Sequence, residues 1–221
     1  MTNSLQTTSY SRVSSFTQCP AKWKYHYIDQ LEPLPDDDPA NALILGKALH
    51  KGIECGVEAG IKEYYSNYFT VNDLHVNEEI KLRYYIERAR ELLPDGLHEV
   101  DISSGNFKGF IDLLADNGDG SYQIWDFKYC NPKSVDRYKE SQQLHVYLSM
   151  AYAAGYHNIS HEVKYLIIPK VSIRQYKAGK TRKRAETIEE FRKRLRKTLA
   201  EQELQVITIE YNADKMDEFE A

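Results

Sequence analysis

Apolar residues recur every four positions at Leu45, Leu49, Ile53, Val57, Ile61 and Tyr65, which predicts one amphipathic helix over residues 42–69. Ala48, Gly52, Gly56 and Gly60 form a second stripe with almost no side chain. Either another element packs very close along it or the helix breaks near Gly52. A further helix is predicted over 77–93, with Asn77 as its cap, Glu78 and Glu79 in its first turn and Pro94 ending it. The period then changes from four to two. "HEVDIS" and "FKGFIDLLAD" alternate, "NGDGS" is a turn, and "YQIWDFKY" alternates again. "DRYKESQQLHVYLSMAYAAG" reads as a helix stopped by Gly155, "SHEVKYLIIPK" as a buried strand, and "TIEEFRKRLRKTLAEQEL" as a charged helix. Upstream, "SYSRVSSFTQCPAKWKYHYI" predicts one or two short helices, and "LEPLPDDDPAN" is an exposed connector. Helices, three strands, a helix, a strand and a helix make an α/β layer structure, a central mixed sheet flanked by helices.

The two strands around "NGDGS" contain acids and a lysine where the pattern is otherwise that of a core. If residues 117–121 are the hairpin loop, Asp119 is its midpoint. Asp112 then lies as far before that midpoint as Asp126 lies after it, so the two carboxylates face each other across the pair. Lys128 points to the same side as Asp126. Opposed carboxylates repel unless a cation lies between them. Lys128 is one candidate, and hard oxygen ligands so close also suit Mg²⁺ or Mn²⁺. An ordinary ion pair between Asp126 and Lys128 is the plainer alternative. Gln143 and Tyr147, four apart on one helical face, add a polar pair that alone means nothing.

Composition narrows the class. The 221 residues, 42% hydrophobic, suffice for one globular domain with a real core. No apolar run is long enough to span a membrane, and the N-terminus lacks the pattern of a secretory signal. Cys19, Cys55 and Cys130 show no pairing pattern, which fits a reducing cytoplasm. The net charge of −4 conceals an uneven distribution: residues 170–200 hold twelve lysines and arginines against three glutamates. By itself such a run reads as a solvated helix face.

Taken together, the residues resemble the RecB-like branch of the PD-(D/E)XK nucleases. Asp112 in "GFID", the Asp126-Phe127-Lys128 run and Gln143-x-x-x-Tyr147 are similar to that branch's core motifs. "GKALH", ending at His50, resembles its upstream histidine segment, and "SSFTQCP" its early Cys-Pro signature. The resemblance implies a single nuclease domain over 1–221: a mainly helical part over 1–95 carrying His50, a catalytic core over 96–170, and a basic segment with a C-terminal helix over 171–221. It implies a Mn²⁺- or Mg²⁺-dependent deoxyribonuclease, expected to act on ends, in DNA recombination, repair or phage DNA processing. DNA would be its partner, single- or double-stranded, with helicase or recombination proteins as possible associates.

On the same resemblance, His50, Asp112, Asp126 and the Phe127 carbonyl would hold the metal, the histidine nitrogen tilting preference toward Mn²⁺. Asp112, Asp126, Lys128, Gln143 and Tyr147 would be the catalytic set, with Lys128 orienting water or stabilising charge. Gln143 and Tyr147, with Arg182, Lys183 and Arg184, would contact the substrate strand. Glu99, opening the first strand, is a further candidate to reach the metal or its water, and Glu54 is expected to be solvated. Some relatives hold an iron–sulfur cluster through the early cysteine and three more near the C-terminus. Three cysteines cannot supply four ligands, so no cluster is expected and Cys19 should be a packed thiol. The alternative function is a catalytically inactive nucleic-acid-binding module of the same fold.

Overall fold

A computed structural model describes residues 8–32, 37–103, 105–179, 184–212 and 214. Ser9 caps the first helix, α1 (Tyr10–Gln18), its side chain accepting from the Arg12 N–H. Pro20 then starts α2 (Pro20–Trp23), which runs into one turn of π-helix, Lys24–Ile28. No residue of this arm is buried, and Cys19 at its joint is exposed, not the packed thiol expected.

The helix predicted over 42–69 is two: α3 (Ala42–Cys55) and α4 (Val57–Tyr65). The break is at Gly56, whose φ of 99° and ψ of 161° suit glycine alone. Gly52 stays helical, because that is where neighbours crowd in. A Cβ there would meet Ile86 side-chain atoms, and one on Gly60 would lie 2.6 Å from the Ala48 carbonyl oxygen and 2.8 Å from Gly52 Cα. The small stripe is therefore the seam along which α3 and α4 fold back on each other and on α5 (Asp73–Leu92). Asn72, not Asn77, caps α5: its side chain accepts from the Leu74 N–H, while His75 Nδ1 accepts from the Asn72 N–H. Asn77 is buried within the helix and accepts from Arg192 Nε at 3.2 Å. Glu78 lies beyond the first turn and pairs with Lys81 at 2.6 Å.

Five strands follow the predicted alternation, with one addition. They are β1 (Gly96–Asp101), β2 (Phe110–Asp116), β3 (Tyr122–Cys130), β4 (Ile159–Pro169) and β5 (Gln205–Glu210). They form one mixed sheet in the order β1-β2-β3-β4-β5, with β3 and β4 parallel and the other neighbours antiparallel. β5 was not anticipated; its short "QVITIE" alternation finds a partner only in β4. The helix predicted through "DRYKESQQ" is interrupted into α6 (Asp136–Lys139) and α7 (Gln143–Ala153). The charged helix is α8 (Ile188–Ala200).

Helices cover both faces, so the fold is α/β, as the alternation of elements implied. On one face Leu45, Leu49, Leu82, Ile86, Leu195 and Leu199 from the helices pack with Leu113, Trp125 and Phe127 of the sheet. On the other, Leu144, Leu148 and Ala151 of α7 pack with Leu114, Ile124 and Ile167. Burial of this apolar surface on both faces is the main stabilising term. Among the described residues no helix is long and apolar enough to cross a membrane.

Candidate metal and catalytic centre

β2 and β3 pair from Asp116–Tyr122 up to Leu113–Trp125, the register expected for a loop centred on Asp119. Beyond that rung side chains take over from the ladder. The Phe127 N–H donates to Asp112 Oδ2 at 2.7 Å, and the Phe127 carbonyl lies 3.1 Å from His50 Nε2. Both polar groups of the Phe127 backbone are thus satisfied by side chains. His50 is brought here by α3, whose buried face holds Ala48 and Leu49, and its ring meets the Phe127 ring edge-on at 5.6 Å.

His50 Nδ1 lies 3.3 Å from Asp112 Oδ1. With a carboxylate on one ring nitrogen and a carbonyl on the other, the doubly protonated ring is favoured. Burial alone lowers the His50 pKa, but Asp112 outweighs it and the group is pushed up to about 9. Burial pushes the Asp112 carboxyl up, yet His50, the Phe127 N–H and Lys128 together hold it below the usual range.

Asp126 has different company. Its Oδ1 accepts from Gln143 Nε2 at 3.1 Å, and the same amide reaches Tyr147 Oη at 3.2 Å. Its Oδ2 lies 2.6 Å from the Lys128 ammonium, a close ion pair without the alignment of a hydrogen bond. Asp126 is only 3% exposed, and burial raises its carboxyl to about 6 despite Lys128. Burial alone would lower Lys128, but Asp126 holds its ammonium on. That ammonium also sits 5.8 Å and 5.9 Å from the ring centroids of Tyr165 and Tyr138. Burial pushes the Tyr147 hydroxyl up to about 12, so it remains a hydrogen-bond donor.

Glu99 joins the centre from β1. The rungs His98–Leu113 and Val100–Ile111 flank it, which sets it opposite Asp112. Its φ of 50° is left-handed, unusual for a residue with a side chain and a strain that concentrates at functional sites. His50, Glu99 and Asp112 each offer a ligand atom, all within 4.8 Å of one another. Burial and Asp112 raise the Glu99 carboxyl. His50 and Glu99 line a cleft of about 670 Å³ whose wall on α3 includes Gly46, Lys47, Lys51 and Glu54. Glu54, expected to be solvated, is ion-paired with Lys51 at 3.0 Å.

His50, Asp112 and Phe127 therefore form one group of contacts, and Asp126, Lys128, Gln143 and Tyr147 a second, joined through the backbone of residues 126–128. Among the described residues of the basic segment, Arg184, Arg192 and Arg194 pair outside the centre. Arg182 and Lys183 lie outside the described residues, and Arg184 is paired with Glu190 at 2.5 Å. Arg192 and Arg194 likewise reach Asp73 and the buried Glu186, both at 2.7 Å.

Once His50 gives up one ring proton, the donors are one imidazole nitrogen, carboxylate oxygens and a backbone carbonyl, a set that suits a hard or borderline divalent ion. Asp126 Oδ2, buried against the Lys128 ammonium, has a second lone pair with which to hold an ion. The residues fit a divalent cation. A family model described as the PD-(D/E)XK nuclease superfamily matches residues 7–221. No curated protein matches the chain.

Proposed function

The chain belongs to the PD-(D/E)XK nuclease superfamily, and on that footing we propose that it is a Mn²⁺- or Mg²⁺-dependent deoxyribonuclease of the RecB-like branch. The observation that carries this reading is the convergence of His50, Asp112 and Glu99 on one point, with the Asp126–Lys128 pair on the neighbouring strand β3. His50, Glu99, Asp112, Asp126 and the Phe127 carbonyl are the groups that would hold the ion. When bound, it would polarise a phosphodiester and lower the pKa of a coordinated water.

The remaining steps belong to side chains. Lys128, held beside Asp126 with its proton on, supplies positive charge where a phosphorane-like transition state becomes more anionic. Gln143 ties Asp126 to Tyr147 and fixes both. The Tyr147 hydroxyl then has a donor for a non-bridging oxygen of the strand. Lys47 on the cleft wall adds favourable charge for a polyanion. Exonucleolytic attack, a role in recombination, repair or phage DNA processing, association with a helicase, and a single domain over 1–221 all rest on the motif resemblance. Arg182 and Lys183 would follow the strand backbone.

The test is digestion of end-labelled linear and circular DNA with Mn²⁺, Mg²⁺ or EDTA. Cleavage of linear DNA that requires the metal is expected. Binding without cleavage under every metal condition refutes the nuclease reading. Titration calorimetry adds a check without catalysis: Glu99→Gln should weaken Mn²⁺ binding at least about tenfold, the usual scale for losing a group at a metal centre. Unchanged affinity removes Glu99 from the ligand set.

A further inference from the structure

The arm formed by α1, α2 and the π-turn packs aromatic rings on itself and leaves several facing solvent. Phe16 meets Trp23 edge-on at 5.2 Å, and Trp23 lies 6.2 Å from Tyr27. The Arg12 guanidinium stacks over Tyr27 and Trp23 at 4.8 Å and 5.6 Å. Yet Phe16 is 50% exposed and Tyr25 is 55% exposed. Exposed rings on a self-supporting arm are not needed for the core, since no arm residue is buried.

The arm's charge restricts what those rings meet. From Thr8 to Ile28 the chain contains Arg12, Lys22 and Lys24 and no carboxylate, although the body of the protein is acidic. Lys24 pairs with Asp29 just beyond, which leaves the arm positive still. Cations interleaved with rings suit a polyanion that has flat faces of its own. Single-stranded nucleic acid meets both conditions, whereas a duplex hides its base faces in the stack.

The base of the arm is tied to the candidate centre. Tyr10 Oη lies 3.2 Å from Ser141 Oγ, and the same oxygen accepts from the Gln143 N–H at 3.2 Å. Gln143 in turn donates to Asp126. Thr8 pairs with the connection between β1 and β2, its N–H donating to the Asn106 carbonyl at 2.6 Å. A strand lying along the arm would therefore be led toward the helix that contacts Asp126.

We propose that the arm Tyr10–Ile28 is a stacking platform for single-stranded nucleic acid, Phe16 and Tyr25 receiving bases while Arg12 and Lys22 face phosphates. It rests on the nuclease reading and specifies which form of substrate the site is fed.

Trp23 reports on it directly, because the only other tryptophan, Trp125, is buried in the core at 6% exposure. In EDTA, where cleavage is blocked, an oligo-dT of about 20 nucleotides should change tryptophan emission, and Trp23→Phe should abolish that change. Phe16→Ala and Tyr25→Ala should each weaken oligo-dT affinity by about tenfold, the scale of one lost base–ring stack. Both should leave metal-dependent cleavage of duplex DNA within about twofold. Circular dichroism melts confirm that these exposed-ring variants stay folded. Emission insensitive to oligo-dT, or equally sensitive to a blunt duplex, overturns the proposal, and insensitivity would leave the rings to a protein partner. A protein that cleaves duplex but shows no emission change refutes the arm alone. One that responds to oligo-dT yet cleaves nothing in Mn²⁺ refutes the nuclease reading and upholds the arm.

Discussion

Replacing Asp126 by asparagine should make the metal-free protein more stable. The carboxyl is 3% exposed, and burial lifts it from its ordinary 3.8 to about 6 even with Lys128 at 2.6 Å. Ionising it inside the fold therefore costs about 3 kcal/mol more than in the unfolded chain, at about 1.4 kcal/mol per tenfold. Asparagine has the shape of the neutral acid and can still accept from Gln143, so the substitution removes that term. The pH window follows from the direction of the shift. A raised carboxyl means that the folded chain binds more protons than the unfolded one between pH 3.8 and about 6. Stability falls as pH rises through that window, and the penalty is complete above it. Asp126→Asn should thus gain up to about 3 kcal/mol at pH 7.5, or roughly 6–12 °C in Tm for a chain of this size, with the gain vanishing near pH 4. Thermal melts of both proteins in EDTA across pH 4–8 measure it. Saturating Mn²⁺ should narrow or reverse the order, since a ligand held by the carboxylate stabilises only the wild type, by about 2.7 kcal/mol at a hundred times Kd. A variant no more stable at pH 7.5, or a gain that persists undiminished at pH 4, would refute the reasoning.

Lys128→Ala should lower kcat by about 10²–10⁴-fold with little change in KM, because the ammonium acts on charge that develops in the transition state. Its metal requirement should also rise, since Asp126 loses the cation that favours its ionised form; near wild-type turnover under saturating metal would sink the assignment. Gly60→Ala should destabilise by about 1–3 kcal/mol, because the new methyl meets backbone on both sides, at 2.6 Å from the Ala48 oxygen and 2.8 Å from Gly52 Cα. A denaturant midpoint identical to wild type would mean that α3 and α4 can slide apart freely.

What could be read from the chain alone follows the range of the interactions involved. The β2–β3 hairpin was legible because its alternation, its turn and the placement of Asp112 and Asp126 about Asp119 are all local. The start of α5 was not, since Asn72 and Asn77 are both asparagines followed by acidic residues. What separates them is Arg192, arriving from α8 to occupy Asn77. β5 is invisible without β4, because six alternating residues after a charged helix have no distinguishing pattern of their own. The basic run shows a related limit. A count of charges does not reveal that Arg184, Arg192 and Arg194 are matched to Glu190, Asp73 and Glu186. The place of Glu99 depends on a backbone angle, φ 50°, that no residue type at that position announces.

The two facing carboxylates posed the sharpest question in the chain, because opposed acids need positive charge or donors beside them. In the fold each has partners of its own. Asp112 takes His50 and the Phe127 N–H, Asp126 takes Lys128 and Gln143, and the division follows from the end of the ladder at Leu113–Trp125. Had the rungs continued, the Phe127 N–H would have been committed to β2 and Asp112 would have lost that donor. The separate partners drive the two acids apart: Asp112 is held below the ordinary range and Asp126 is raised to about 6. At neutral pH one carboxylate is thus firmly charged and the other ionised against resistance. Such a divergence within one cluster is the usual mark of acids assigned different tasks. Asp112 is suited to anchor a cation permanently. Asp126, whose ionisation is opposed by its surroundings, gains most when a second positive charge arrives.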